Sequence, residues 1–228
     1  MSYYLEQDRF CLAVDCIIFG FDQETLKILL IKRRMEPFMD QWSLMGGFVK
    51  EKESLNDAAR RITSSLTGLD QVYLEQLYTF GDVDRDPGGR IISVAYYALI
   101  KINESDVEIA NKKGAEWFSV NDYPDLIFDH KQMIETALKR LQRRCRTQPI
   151  GFELLPEKFT IRQLQSLYEA ILMSPLDKRN FRKKIHEMDF LDKLEEKDRL
   201  NSKKGAFLYR FNKDRYLDFT QKGFSFEV

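Results

Sequence analysis

The alternation of apolar and polar positions divides the chain into a strand-rich first part and a helix-rich second part. LAVDCIIFGF (12–21) and LKILLIKRR (26–34) are β-branched runs around the turn Asp22–Thr25, and they read as two strands. WSLMGGFV (42–49) follows as a shorter extended run. VYLEQLYTFGDVDRDPGGRIISVAYYALIK (72–101) reads as a hairpin around Pro87-Gly88-Gly89, and AEWFSV (115–120) as a further strand. The period then changes. DHKQMIETALKRLQRRC (129–145) places Met133, Ile134, Ala137, Leu138 and Leu141 at helical spacing.

Pro149, Gly151 and Pro156 break that pattern, so the joint between two domains, 1–148 and 149–228, is expected there. Beyond it, Thr160 stands as the N-cap of a helix with Ile161, Leu164, Leu167, Tyr168 and Ile171 on one face. SPLD makes a short break. A second helix follows, with Phe181, Ile185 and Met188 inward and Arg179, Arg182, Lys183 and His186 outward. After a charged segment, KKGAFLYRF (203–211) reads as a strand or strand pair.

Between the early strands lies GGFVKEKESLNDAARRITSSLTGL (46–69). Ser54 and Asp57 are spaced like a capping box, so a helix starts there. The segment resembles the Nudix box, the loop–helix–loop of enzymes that cleave nucleoside diphosphates joined to another group. Gly47, Glu53, Arg61, Gly68 and Leu69 keep the frame of that box. At the positions where the box carries metal-binding glutamates stand Ile62, Ser65 and Leu66. Magnesium takes hard oxygen ligands, mainly carboxylates and water. Glu53 alone is a poor site and reads better as a partner of Arg61. The expectation is a retained scaffold without hydrolysis, no catalytic residue and no metal or other cofactor.

Composition narrows the classes. With 43% hydrophobic residues among 228, ordinary cores can form. No apolar run is long enough for a membrane helix. The N-terminus MSYYLEQDRF lacks a signal-peptide core. Three scattered cysteines suit a reducing cytoplasm and match no metal-ligand pattern. Two histidines supply little for zinc or histidine-based catalysis. The run Asp82, Asp84, Asp86 lacks the EF-hand spacing and reads as a solvated turn. Net charge is zero, yet KRLQRRCR (139–146) and KRNFRKK (178–184) each hold five bases and no acid.

Helix, turn, basic helix and β element is the layout of a winged helix-turn-helix, in which the second helix enters the DNA major groove. Arg179, Asn180, Arg182 and Lys183 are the candidates for base or phosphate contact. Lys178, Lys184, Lys203, Lys204 and Arg210 suit phosphates. Thr160 and Arg162, at the start of the first helix, and His186 complete the DNA-binding set. A small helical dimerisation or substrate-gating domain with a solvated basic face is the competing reading, and a domain that contacts protein is a third.

Taken together, GGFV with the box frame, YLEQLYTFGDVDRDPGGRIISVAYYAL, LLPEKFT and LYEAIL…PLDKRNFRKKI resemble the Nudix-related transcriptional regulators, over nearly the whole chain. The resemblance implies an α+β protein: a Nudix-like α/β/α sandwich with a mixed sheet, which senses an effector and dimerises, then a winged helix for double-stranded operator DNA. One branch of that family senses ADP-ribose and regulates NAD metabolism. Another senses sugars, notably L-arabinose. The loss of the helical carboxylates favours the sugar branch as the expectation; the ADP-ribose branch, and a hydrolase with displaced metal ligands, stay as alternatives. The Nudix fold places its ligand between sheet and box helix. Trp42, Phe48, Phe80, Asp82, Tyr96, Asp129 and His130 are the expected lining groups, with Arg33 for a charged effector. The expected whole is a cytoplasmic, homodimeric regulator.

Overall fold

The computed structural model describes residues 6–70, 72–148, 150–188, 190–199 and 205–216. Chain contacts separate two compact units, one built mainly from residues up to Ala137 and the other mainly from Leu138 onward. The short segments Gly20–Leu26 and Leu99–Lys101 group with the second.

The first part is organised by a seven-stranded sheet. Strand β1 (Cys11–Phe21) lies between β2 (Leu26–Lys32) and β6 (Ile91–Lys101), in the order β3-β2-β1-β6-β5. Here β3 is Trp42–Ser43 and β5 is Glu75–Phe80. In addition, β4 (Met45–Phe48) pairs with β1, and β7 (Ala115–Ser119) pairs antiparallel with β2. A lone parallel bridge joins Trp42 to Leu126, so the sheet is mixed. Val14, Cys16, Ile17, Ile18 and Phe19 are fully buried on β1, as expected of a strand covered on both faces. Burying each such large apolar side chain contributes roughly 1.5–3 kcal/mol.

Helix α1 (Leu55–Thr67) is the box helix. The Ser54 hydroxyl accepts the Asp57 N–H at its start, and Gly68 closes it in the left-handed conformation at φ 78°. A side chain at 68 would also strike Ile109 Cγ2, 2.3 Å from where its Cβ would stand. The expected hairpin turn is present: Gly88 N–H donates to Asp86 Oδ1 at 2.7 Å. Helix α2 (Glu104–Lys112) was not expected. It is short, its Asn103 N-cap makes no side-chain cap bond, and only Ala110 is buried, so its sequence carries little apolar periodicity. Helix α3 (His130–Thr147) covers the predicted helical stretch; Met133, Ile134, Ala137 and Leu141 are buried and Leu138 is half-buried.

The second part holds α4 (Ile161–Leu172), α5 (Lys178–Glu187) and the antiparallel pair β8 (Leu191–Asp198) and β9 (Ala206–Phe211). Strand β8 corresponds to the stretch read as a charged segment. Its sequence LDKLEEKD is mostly charged because a two-stranded ribbon leaves much of it in water. Phe159 and Tyr209 exchange backbone hydrogen bonds of 3.0 and 2.7 Å. Phe152 stacks on Phe211 at 4.3 Å between centroids and meets Phe190 edge-on. No helix among the described residues is long and apolar enough to cross a membrane.

Candidate functional site

The strand register brings an acid and a glycine side by side in the first domain. Asp15 on β1 pairs with Gly46 on β4. Asp15 is the only charged group in an otherwise apolar strand, so it must find partners. Its Oδ2 accepts the Ser93 hydroxyl at 2.5 Å and lies 3.7 Å from Arg85 Nη2. Arg85, 8% exposed, makes a two-pronged pair with Asp129, Nε to Oδ2 at 2.9 Å and Nη2 to Oδ1 at 2.7 Å. Burial works against the Arg85 charge, but hydrogen bonding to Asp129 and the nearby Asp129 and Asp15 carboxylates outweigh it and raise its pKa.

His130 closes this network. Its Nδ1 accepts the Leu44 N–H at 3.1 Å, which leaves the ring proton on Nε2, 3.6 Å from Asp15 Oδ1. Burial pushes the His130 pKa down, against the pull of Asp15 and Asp129, which favours the neutral ring.

Above the network opens a cavity of about 230 Å³. Its rim carries Lys32, Arg33 and Arg34 from the end of β2, with Arg85 and His130 below and Phe48, Leu66 and Phe128 as apolar wall. Of the expected effector residues, Arg33, Phe48 and His130 line it. The others stand elsewhere. Asp129 is engaged by Arg85. Trp42 packs edge-on to Phe118 with Lys32 over its ring. Tyr96, 1% exposed, donates its hydroxyl to Asn56 at 2.8 Å. Phe80 is buried beside Tyr78, and Asp82 is an exposed turn residue whose carbonyl accepts from Arg90. Sequence reading missed Asp15, Ser93 and Arg85. Asp15, alone among apolar neighbours, was the available signal.

The three box positions 62, 65 and 66 carry no carboxylate. Ile62 is buried against Gly47, Ser65 donates its hydroxyl to the Ile62 carbonyl, and Leu66 faces the cavity. The Glu53 carboxylate is taken by Arg61, Nε to Oε2 at 2.9 Å and Nη2 to Oε1 at 2.5 Å, and accepts the Lys50 N–H at 2.7 Å. The hydrogen bond from Arg61 lowers the Glu53 pKa to about 2. Arg61 also donates to the Phe48 carbonyl, so the pair clamps the loop from 48 to 53. Among the described residues no three carboxylate, histidine or cysteine groups are arranged to hold a metal. Asp84 is an exposed turn residue like Asp82.

In the second domain a polar joint fixes the two helices. Gln165 of α4, 7% exposed, donates to Glu169 Oε1 at 2.9 Å and to the Leu176 carbonyl at 3.1 Å, while Leu176 N–H donates to the same Glu169 oxygen. Tyr168 meets Phe181 edge-on across the helices. Asp177 caps α5 through the Asn180 N–H. With Phe181 and Ile185 buried, α5 leaves Lys178, Arg179, Asn180, Arg182, Lys183 and His186 exposed. Lys184 is half-buried, and Arg162 is exposed on α4. Arg210 lies on β9, 4.0 Å from Asp192. Thr160 corrects the expectation: it is 5% exposed, and its hydroxyl is committed to a capping box with Gln163. Lys203 and Lys204 lie outside the described residues.

A Nudix scaffold whose box helix has Ile62, Ser65 and Leu66 in place of glutamates, together with a winged helix that exposes a basic second helix, defines a class of DNA-binding regulators with a sensor domain. Residues 9–137 match the NUDIX domain, and residues 151–211 match the NrtR DNA-binding winged helix domain. The chain is 35% identical over 204 residues to the ADPR responsive transcriptional repressor NtrR of Acinetobacter baylyi, covering 88% of this chain and 81% of that one. Shewanella oneidensis NrtR complexed with a 27mer DNA superposes with a TM-score of 0.75 at 32% identity, over 90% of this chain and 95% of that chain. The NUDIX domain of the same protein complexed with ADP ribose gives a TM-score of 0.53 at 32% identity, over 61% of this chain and 97% of that one. The chain belongs to the Nudix-related transcriptional regulators.

Proposed function

We propose that this regulator responds to ADP-ribose, or a nucleoside diphosphate sugar of that kind, and binds operator DNA as a homodimer. The observation that carries the effector reading is the cationic rim of the cavity, Lys32, Arg33 and Arg34 over Arg85. A neutral pentose needs no such charge, whereas a diphosphate does. The effector of the Acinetobacter relative and the ligand of the Shewanella NUDIX domain support the same choice. This replaces the arabinose expectation, whose ground was the missing carboxylates; those bear on metal binding and leave the cations of the rim untouched.

The first domain, through residue 148, is the sensor and dimer-forming part, and the second presents α5 to the major groove with β8–β9 as the wing. The effector acts by favouring one arrangement of the dimer over another, and its differential affinity sets the size of the response. We read the Nudix domain as a sensor and not as a hydrolase, because Glu53 is committed to Arg61. A mobility-shift titration with DNA from upstream of its own genomic neighbourhood tests this. ADP-ribose, and not L-arabinose, changes the affinity of a salt-sensitive, sequence-selective complex. Equal indifference to both ligands would sink the effector reading.

A further inference from the structure

We infer that the cavity takes its diphosphate without a divalent cation, and that the guanidinium of Arg33 does the work a metal does in a hydrolase. The inference rests on the effector reading above and deepens it. Four cations line the cavity. Among the described residues only one of them is held by carboxylates. Arg85 is held by Asp129 and Asp15. Arg34 Nη2 donates to the Lys113 carbonyl at 2.5 Å, and Lys32 lies over the Trp42 ring at 5.2 Å.

Arg33 is held differently. Its Nε donates to the carbonyls of Met35 at 3.1 Å and Pro37 at 2.7 Å, and its guanidinium carbon lies 5.4 Å from the centre of the Phe128 ring. Those contacts fix the fork and leave its Nη groups without a protein partner among the described residues. A fixed planar fork matches a phosphate with two parallel hydrogen bonds. Because the fork is already ordered, little rotamer entropy is lost on binding.

The box helix completes the argument. Leu66 stands where the box would carry a carboxylate. A carboxylate beside a diphosphate repels it unless a metal lies between them; an isobutyl group does not. The carboxylates that do line the cavity, Asp15 and Asp86, are next to Arg85. The loss of metal ligands and the ordering of Arg33 therefore belong to one mode of anion recognition.

Calorimetric titration of the full chain tests this with two probes, ADP-ribose and inorganic pyrophosphate, each in EDTA and in magnesium. Binding in EDTA within about twofold of that in magnesium is expected. Arg33→Ala weakens both probes by roughly 10- to 100-fold, the loss of a charge-assisted pair. Arg33→Lys falls in between, and thermal melting verifies that both variants fold. A requirement for magnesium, or unchanged binding in a folded Arg33→Ala, overturns the inference. If ADP-ribose fails to bind while pyrophosphate still binds in EDTA through Arg33, the anion seat stands and the effector reading falls. If neither binds, both fall.

Discussion

The carboxylate of Asp15 occupies the space that a side chain at Gly46 would need: a Cβ there would lie 2.2 Å from Asp15 Oδ1. The glycine is thus required by its neighbour and not by its own backbone angles. Gly46→Ala must displace Asp15 from Ser93 and Arg85, or bend β4 away from β1. Overpacking of this kind costs about 1–3 kcal/mol. Thermal or urea unfolding measures it. In an Asp15→Ala background the same substitution should cost much less, and additive losses would refute the coupling.

The Glu53–Arg61 clamp makes stability depend on acid. The Glu53 pKa falls from an ordinary 4.5 to about 2 in the folded chain. The folded state thus holds the carboxylate ionised more readily than the unfolded state does. Its contribution is complete above the unfolded value near 4.5 and is lost as pH falls toward 2. Glu53→Gln should therefore melt below the wild type at neutral pH, with the gap closing through that window. A gap independent of pH would show that the ion pair adds nothing.

Much of this was legible in the sequence, for physical reasons. β1 and β2 announce themselves because burial on both faces forces near-continuous apolar runs. α4 and α5 do so because a one-sided helix repeats its apolar residues every three or four positions. β8 was hidden because most of its residues are charged and solvated. The cavity was only partly legible. Arg33, Phe48 and His130 follow from their places at strand ends and at a helix start, but Arg85 sits in an acidic turn that reads as solvent-facing. Only the folded register brings Arg85 to Asp129, 44 positions away. Trp42 and Tyr96 were candidates for the lining, with packing the better reading of either alone, and they do pack: Trp42 meets Phe118 and Tyr96 is buried with its hydroxyl on Asn56.

The Gln165–Glu169–Leu176 joint should set the angle between the two helices of the DNA-binding domain. Gln165→Leu leaves the Leu176 carbonyl without its donor and Glu169 with one partner fewer. Stability should drop by about 1–3 kcal/mol, as when a part-buried group is left unsatisfied. DNA affinity should fall as well, though no base or phosphate contact is removed. Unfolding and mobility-shift assays on the same variant check both. A stability loss with unchanged DNA binding would show that the joint does not govern the geometry of α5.

Arg182 and Lys183 are exposed on α5, whose buried residues are Phe181 and Ile185, and among the described residues neither has a strong pair. Lys183 approaches Glu187 at 3.8 Å with both side chains largely exposed, a pair worth little. Replacing both by alanine should therefore leave the melting temperature nearly unchanged. The DNA complex should be lost at moderate salt, because each phosphate contact contributes to counterion release. The slope of log affinity against log salt should become shallower by up to roughly two, at about 0.9 for each contact removed. If Arg182 also reads a base edge, selectivity for the operator over random DNA falls along with affinity; if it touches phosphate alone, affinity falls evenly across sequences. Retention of full affinity and slope in the double variant would move the DNA-binding surface off α5.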